Sequence, residues 1–428
     1  MADYDAIIVG SGCAGAIAAY ELAKADKTVL VVERGNFAGS KNMTGGRLYL
    51  HSLKEVFPNC AEEAPLERRI AHERISLMTS DASFTVDFSS NEMLKDGQDS
   101  YSVLRASLDQ WLAEQAEEAG ADYIYGITVE ELVKDGSKVI GIRAGDDEIT
   151  GEVVLLCDGA NSLLAESAVG FQRPKASTLA VGIKQVIEIP ASVIEDRVLA
   201  GEGEGAAWLF VGDVTKGHVG GGFMYTNKDS VSLGIVATIS DLATSSTPIY
   251  QMLEDFKAHP AIKPLIKGGK VLEHSGHMVP EGGRNTMPKL VGDGVMIVGD
   301  SAMMCMNLGY MIRGMDFAIA AGMHAGRSAV EALDAGDTSA QGLAGYISAL
   351  ENSFVLKDLE QFKRFPHFME STTRIFNEYP VLVRDVFNKL FVVDGSPVAP
   401  IKRSMMPLVK KIGFGKLFKD ARGGMKAL

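Results

Sequence analysis

Apolar positions come in short blocks from the start of the chain. Residues 5–10 (DAIIVG) form a β-rich apolar run closed by glycine. The stretch that follows, "GSGCAGAIAAYELAKADKTVLVVERG", predicts a helix over residues 16–25 and a second apolar strand over 28–32, which Glu33 ends. Strand, glycine turn, helix and strand in that order are the opening of a βαβ unit.

Further along, "SYSVLRASLDQWLAEQAEEAGAD" (100–122) sets Leu104, Leu108, Trp111 and Leu112 at helical spacing and stops at Gly120, which predicts one helix. A β-meander follows, with turns at Asp135-Gly136 and Gly145-Asp146-Asp147. Its last apolar strand, 153–156, halts at Cys157-Asp158-Gly159. Residues 175–285 differ in character. Strand-like runs at 180–187, 205–211 and 230–239 alternate with turns, and one helix is expected over 248–258, with Thr247 as its N-cap and Pro248 in its first turn. The segment "GEGEG" at 201–205 has no strand before it and no helix after it, so a mobile loop is expected there rather than a second nucleotide fingerprint. Residues 294–316, "GVMIVGDSAMMCMNLGYMIRGMD", then repeat the strand–Gly–Asp stop, ahead of a helix expected to begin near 309–313.

These blocks give the fold class: α/β (α+β overall), a Rossmann-like domain with an inserted, mostly antiparallel second domain and a helical C-terminal region. The expected boundaries are 1–75, 100–174 and 286–335 for the three parts of the Rossmann-like domain, 76–99 for a first excursion, 175–285 for the second domain and 336–428 for the helical region.

The opening turn carries chemistry. Gly10, Gly12 and Gly15 fit G-x-G-x-x-G. The first glycine permits a tight turn, the second lets backbone amides reach a pyrophosphate, and the third lets helix and strand pack closely. Cys13 and Ala14 lie in the same turn, where a helix start offers unpaired N–H donors. Glu33, at the second strand's end, can accept from ribose hydroxyls. Arg105 sits among apolar neighbours and needs an anion or polar partner, for which a cofactor phosphate or ribityl chain would serve.

Composition narrows the class. A formal charge of −13 argues against a general nucleic-acid binder. The charge is uneven, because residues 401–428 carry eight Lys/Arg against the single acid Asp420. With interleaved Met406, Leu408, Val409, Ile412, Phe414, Leu417 and Phe418, this tail suits an acidic partner or an anionic membrane surface, although Gly413 and Gly415 weaken a continuous helix. Cys13, Cys60, Cys157 and Cys305 show no CxxC spacing, which points to free thiols in a reducing cytoplasm. His274 and His277 form an HxxH with no acid or helix signal to support metal binding. No run approaches the length of a membrane-spanning helix, and the N-terminus lacks the basic region of a signal peptide.

The order of a GxGxxG opening, an Asp-Gly after a meander strand and a Gly-Asp before a glycine-punctuated segment resembles the flavoprotein hydroxylase-like superfamily. "SKNMTGGRLY" (40–49), "AVGIKQVIEIP" (180–190), "GGGFMYTN" (220–227), "MLEDFKAHPAIKPLIKGGK" (252–270) and "MNLGYMIRGMD" (306–316) resemble the electron-transfer flavoprotein–quinone oxidoreductase family, in its FixC-type branch. The resemblance implies an FAD-binding domain, with the AMP half of FAD at the first site and Asp300 on the ribityl hydroxyls. It adds Arg34, Lys41, Gly45, Gly46, Arg47, Val129, Asp158, Gly159, Gly299, Asn307, Gly309 and Met311 to the cofactor set, Gly309 and Gly314 at the flavin ring, and Gly220 and Gly221 on the quinone side. A helix N-terminus near 309–313 would stabilise negative charge on the reduced ring. The implied activity is acceptance of electrons from electron-transfer flavoprotein subunits and delivery to quinone, to a separate ferredoxin-like iron–sulfur protein, or to both. The full family enzyme carries a four-cysteine cluster domain that these four cysteines cannot supply. The expected location is cytoplasmic, peripheral at the inner face of the membrane. One departure stands out: after Gly299-Asp300 the branch has small residues, whereas here Ser301-Ala302 is followed by Met303-Met304. The competing readings are an NAD(P)H-dependent reductase or monooxygenase of a small or prenyl substrate, and a non-catalytic subunit that holds FAD structurally.

Overall fold

The computed structural model describes residues 2–41 and 45–428, so Asn42, Met43 and Thr44 of the stretch 40–49 lie outside the described residues. The chain divides into two compact units. The first comprises the chain up to Glu67, Glu92–Lys175 and Met278–Gln361; the second comprises Arg68–Asn91, Ala176–His277 and Phe362–Leu428. The helical C-terminal region is therefore shared, with residues 336–361 in the first unit and the remainder in the second.

The first unit is built on a sheet in the order Val291–Gly292, Val295–Ile297, Asp147–Leu156, Tyr4–Val9, Val29–Glu33 and Asp122–Tyr125. All but the edge strand Val291–Gly292 run parallel. The register pairs Val9 with both Val32 and Leu156, and Leu156 with Ile297. Four strands thus end at one level, and the segments that leave them emerge together. The strands are apolar on both faces, as a covered parallel sheet requires. The meander strands Glu131–Asp135 and Lys138–Ala144 pair beside the early half of Asp147–Leu156.

The helix Cys13–Ala23 packs against the helix Met315–Asp334 through small residues. A side chain on Gly322 would stand 2.3 Å from the Ala14 carbonyl oxygen, and one on Gly326 2.9 Å from that of Ala18. Only glycine permits this approach.

The second unit holds a sheet in the order Lys270–Pro280, Leu179–Glu188, Ser230–Thr238, Gly220–Thr226, Glu204–Gly212 and Leu66–Met78, with Ser83–Phe88 against the last of these. It is mostly antiparallel, apart from the parallel pair of Glu204–Gly212 with Leu66–Met78. Met252, Leu253 and Phe256 of the helix Ile249–Ala258 pack on it with Phe210, Leu233 and Ile235. The tail forms two helices, Ile401–Ile412 and Phe414–Ala427, separated at Gly413 with φ +98°. Arg374 anchors the second by a two-pronged ion pair to Asp420, at 2.6 and 2.7 Å.

Four local expectations change. The stretch 100–122 is not one helix: Ser100–Val103 is a strand paired with Gly46–Tyr49, and the helix runs Arg105–Glu118. Apolar spacing alone does not separate a four-residue strand from the helix it leads into. The N-cap of Ile249–Ala258 is Pro248 rather than Thr247. Residues 201–205 are a turn leading into a strand that begins at Glu204. Arg68 fixes that start, donating to the carbonyls of Glu204, Asn227, Lys228 and Ala191 and to Glu195. No helix begins near 309–313. Met306–Asn307 and Ile312–Arg313 form a hairpin, and the helix starts at Met315. Gly309, with φ +75°, and its amide bond to the Asn307 side chain build a turn there instead.

Candidate functional site

The glycine loop leaves Val9 at the carboxyl ends of the parallel strands. A side chain on Gly10, which has φ +99°, would lie 2.5 Å from the Cys157 carbonyl oxygen, and one on Gly15 would lie 1.9 Å from that of Gly10. Both glycines are demanded by the protein itself. Gly12 differs: a side chain there would meet only the Arg105 guanidinium, at 3.4 Å. The amides of Cys13, Ala14 and Gly15 open the helix Cys13–Ala23, where they have no carbonyl one turn earlier. Ala14 itself is buried in the helix seam, and the Cys13 thiol donates to Asp109 at 3.6 Å, so these two residues face the loop through backbone.

Glu33 is buried. It accepts from the Ser11 amide at 2.9 Å and the Gly35 amide at 2.6 Å, which ties the end of the second strand to the loop. A carboxylate has about four acceptor sites, so this leaves capacity for a ligand hydroxyl. Arg34 is exposed just beyond it, as is Lys41, and Val129 is half-buried after the strand Asp122–Tyr125.

Arg105 already has its anion. Its guanidinium binds Asp109 through two bonds, 2.6 and 2.7 Å, one helical turn along. Arg105 is thus a paired cation that needs no ligand anion, and its position over Gly12 keeps it at the loop. Its charge also reaches Asp300, whose carboxyl is pushed up to about 6 by burial against the pull of Arg105. Asp300 lies in the turn Gly299–Ala302, after the strand Val295–Ile297. Gly299, φ +67°, brings that turn within 2.9 Å of the Ala14 side chain for any added Cβ.

The two strand stops meet. Ser301 donates to Asp158 at 2.8 Å and accepts from the Gly159 amide at 2.9 Å. Burial raises Asp158 above the ordinary carboxyl value, opposed by the Ser301 bond. Met303 and Met304 turn into the core, both essentially without exposed surface, and Met303 takes φ +61° to do so. The added bulk of that departure is thus absorbed by packing.

Gly45 precedes the strand Gly46–Tyr49 and lies against the Val103 carbonyl, where a side chain would come within 1.8 Å. Arg47 donates to Ser100 at 2.8 Å and lies over the Tyr49 ring. In the hairpin, Asn307 donates to Glu281 at 3.1 Å and accepts from the Gly309 amide at 2.9 Å, and the Met311 carbonyl accepts from the Leu308 amide at 2.9 Å. Gly220 and Gly221 belong to the second unit, in the strand Gly220–Thr226. Added side chains there would meet the carbonyls of Val236 at 2.1 Å and Phe210 at 2.7 Å.

Asp109, Ser301 and Glu281 complete this arrangement and were not singled out in the sequence. Only Asp109 had a local signal, its i+4 spacing from Arg105. All four cysteines are buried and free. Burial pushes the Cys13 and Cys60 thiols up to about 12, so they are inert thiols. His274 bonds Gln185 at 3.2 Å.

A loop of helix-start amides, a buried ribose-type acid and a further carboxyl at the same sheet end fit an extended dinucleotide. Ser40 and Ser162 add buried hydroxyl oxygens in this unit that have no hydrogen-bond partner among the described residues, which leaves polar capacity for a ligand.

Comparison with known proteins decides the class. Residues 5–181 match a family described as FAD dependent oxidoreductase, 179–279 one described as ETF-QO, ubiquinone-binding, and 365–428 the ETF-QO/FixC family C-terminal domain. The chain is 49% identical over 426 residues to the probable electron transfer flavoprotein-quinone oxidoreductase YdiS of Escherichia coli K12, covering 99% of each. It is 48% identical over 425 residues to protein FixC of the same strain, again covering 99% of each. The chain belongs to the electron-transfer flavoprotein–quinone oxidoreductase/FixC family. It is an FAD-dependent oxidoreductase, as the resemblance implied. Among solved structures, a geranylgeranyl bacteriochlorophyll reductase-like protein from Thermoplasma acidophilum shares the fold, with a TM-score of 0.72 at 18% identity over 98% of this chain and 99% of that one. For this FixC-family chain the mixed α/β architecture with a helical C-terminal region is thereby established.

Proposed function

We propose that this chain relays electrons from reduced electron-transfer flavoprotein, through FAD, to a quinone, and that it works beside a separate ferredoxin-like iron–sulfur protein. The observation that carries this reading is similarity along the whole chain, at 48–49% identity, to proteins named for that transfer and to FixC. Bound FAD supplies the redox chemistry.

The chain's own residues bind and orient the cofactor. The amides of Cys13, Ala14 and Gly15, with Gly10 and Gly12 shaping the loop, would hold the pyrophosphate, and the Arg105–Asp109 pair fixes a positive charge beside it. Glu33, with Arg34 and Val129 nearby, would hold the adenosine end. Asp300 would take ribityl hydroxyls, with Gly299 bringing it close and Ser301 locking Asp158 and Gly159 at the neighbouring strand end. Lys41, Gly45, Gly46, Arg47, Asn307, Gly309 and Met311 would serve the ring end, and Gly220 and Gly221 the quinone side.

The tail fits peripheral contact with an anionic membrane. Ile401, Phe414, Phe418 and Met425 are exposed on helices that carry Lys402, Arg403, Lys416 and Arg422. No helix among the described residues is long and apolar enough to cross a membrane.

Anaerobic flavin spectroscopy tests the reading. Bleaching by NADH only when a cognate electron-transfer flavoprotein and its reductase system are present is the expected result. Rapid bleaching by NAD(P)H alone would replace the relay with the reductase or monooxygenase reading.

A further inference from the structure

The hairpin Met306–Arg313 is held from outside by one carboxyl. Glu281 directly follows the strand Lys270–Pro280 and receives the Asn307 side-chain amide at 3.1 Å, while the Asn307 oxygen receives the Gly309 amide at 2.9 Å. The carboxyl, the amide side chain and the hairpin turn thus form one hydrogen-bonded line. A carboxyl in a recess normally keeps a cation or several donors. Among the described residues no ion pair to Glu281 is found, and Asn307 is its side-chain donor.

The arginines of the hairpin, of the turn after Glu281 and of the glycine loop are committed elsewhere. Arg313 is spent on Asp316 at 2.5 Å and Asp358 at 2.6 Å. Arg284, three residues beyond Glu281, points to Glu360 at 3.6 Å. Arg105 is bound to Asp109. The titratable neighbour on the hairpin side is the Cys305 thiol, which burial raises and which also feels Asp300, Glu281 and Asp316. Glu281 and Asp300 thus both act on the one thiol, Cys305. Burial pushes Glu281 up to about 7, with the Asn307 bond opposing, so its proton is exchangeable near neutrality.

We propose that Glu281 is a redox-linked proton-binding residue, taking up a proton from solvent when electrons enter the neighbouring flavin and releasing it when they leave. This rests on the reading of the hairpin as the flavin-ring end of the site. Two electrons come from reduced electron-transfer flavoprotein and leave to quinone. Negative charge gained at the ring favours the neutral carboxyl, so an O–H bond forms on the Glu281 carboxylate during reduction and breaks on reoxidation. The carboxyl offsets charge by moving a proton, without a fixed cation.

The test is proton uptake on anaerobic reduction of the FAD-loaded protein at pH 8, read with an indicator dye, for wild type and Glu281→Gln at equal flavin content. Wild type is expected to take up more protons, by about half a proton or more per flavin. Its reduced-minus-oxidised infrared spectrum should gain a protonated-carboxyl band that E281Q lacks. Equal uptake by the two loaded proteins overturns the proposal and leaves the electron-relay reading standing. A wild type that retains no FAD overturns that reading, and this proposal with it. Should E281Q fail to fold, the band is compared between FAD-loaded wild type and Asp300→Asn at equal flavin content: a redox-dependent band that survives D300N supports the proposal, and one lost with Asp300, or unmoved by reduction, overturns it.

Discussion

Ser301 and Asp158 stand 143 positions apart in the chain and are joined by a hydrogen bond of 2.8 Å. The same hydroxyl accepts from the Gly159 amide, so one small side chain fastens two strand ends that each stop at an aspartate. Ser301→Ala should cost about 1–3 kcal/mol, because it strips a donor from a recessed carboxyl. It should also release FAD more readily. Chemical denaturation and flavin retention on gel filtration measure the two effects, and a variant equal to wild type in both would remove Ser301 from the site.

The glycines of the loop separate fold from cofactor. Gly15→Ala puts a methyl against the Gly10 carbonyl and should prevent a stable fold, read as loss of soluble protein. Gly12→Ala meets only a side-chain tip, so the cofactor-free protein should melt within about 1 kcal/mol of wild type. Its FAD affinity should fall at least tenfold by fluorescence titration. Unchanged affinity would place the pyrophosphate elsewhere.

Asp300 makes the cofactor-free protein pH-sensitive. Its folded value of about 6 lies above the ordinary 3.8, so the folded state binds more protons than the unfolded one between those values. Its contribution to stability is therefore lost as pH rises through that window. Asp300→Asn should relieve up to about 3 kcal/mol of this penalty at pH 8 and progressively less towards pH 4. Melting curves of the cofactor-free pair across pH check it, and a gain independent of pH would point to packing instead.

Arg68 organises the second unit from within. It is almost fully buried and satisfies four backbone carbonyls and Glu195. Arg68→Ala should destabilise by about 3–5 kcal/mol, since it leaves those acceptors unpaired. Hydrogen exchange should rise at residues 201–205 and 227–228. A loss below about 1 kcal/mol in denaturant titration would contradict the network.

What the sequence made legible was local and periodic. The apolar strand runs, the glycine loop and Glu33 lie within one βαβ unit, where spacing is itself the signal. The Asp158 and Asp300 stops were visible as the same pattern written twice. Ser301, which joins them, was not, and neither was Glu281, which holds Asn307: both act on residues remote in the chain and follow no period. The hairpin at 306–313 is not legible in the sequence because two-residue strands carry no alternation to read. The role of Arg68 is not legible either, because most of its acceptors are backbone carbonyls, which have no sequence identity.

The seam between Cys13–Ala23 and Met315–Asp334 also sets a timetable. The first strand and helix leave the ribosome early, yet the strand and helix that complete their sheet and cover them are made only after nearly three hundred further residues. Until then the nascent chain carries an uncovered apolar sheet edge and half a binding site, a state exposed to misassembly. FAD loading accordingly waits for residues 295–334, and expression under flavin shortage should enrich cofactor-free chains that already contain them rather than chains truncated before them.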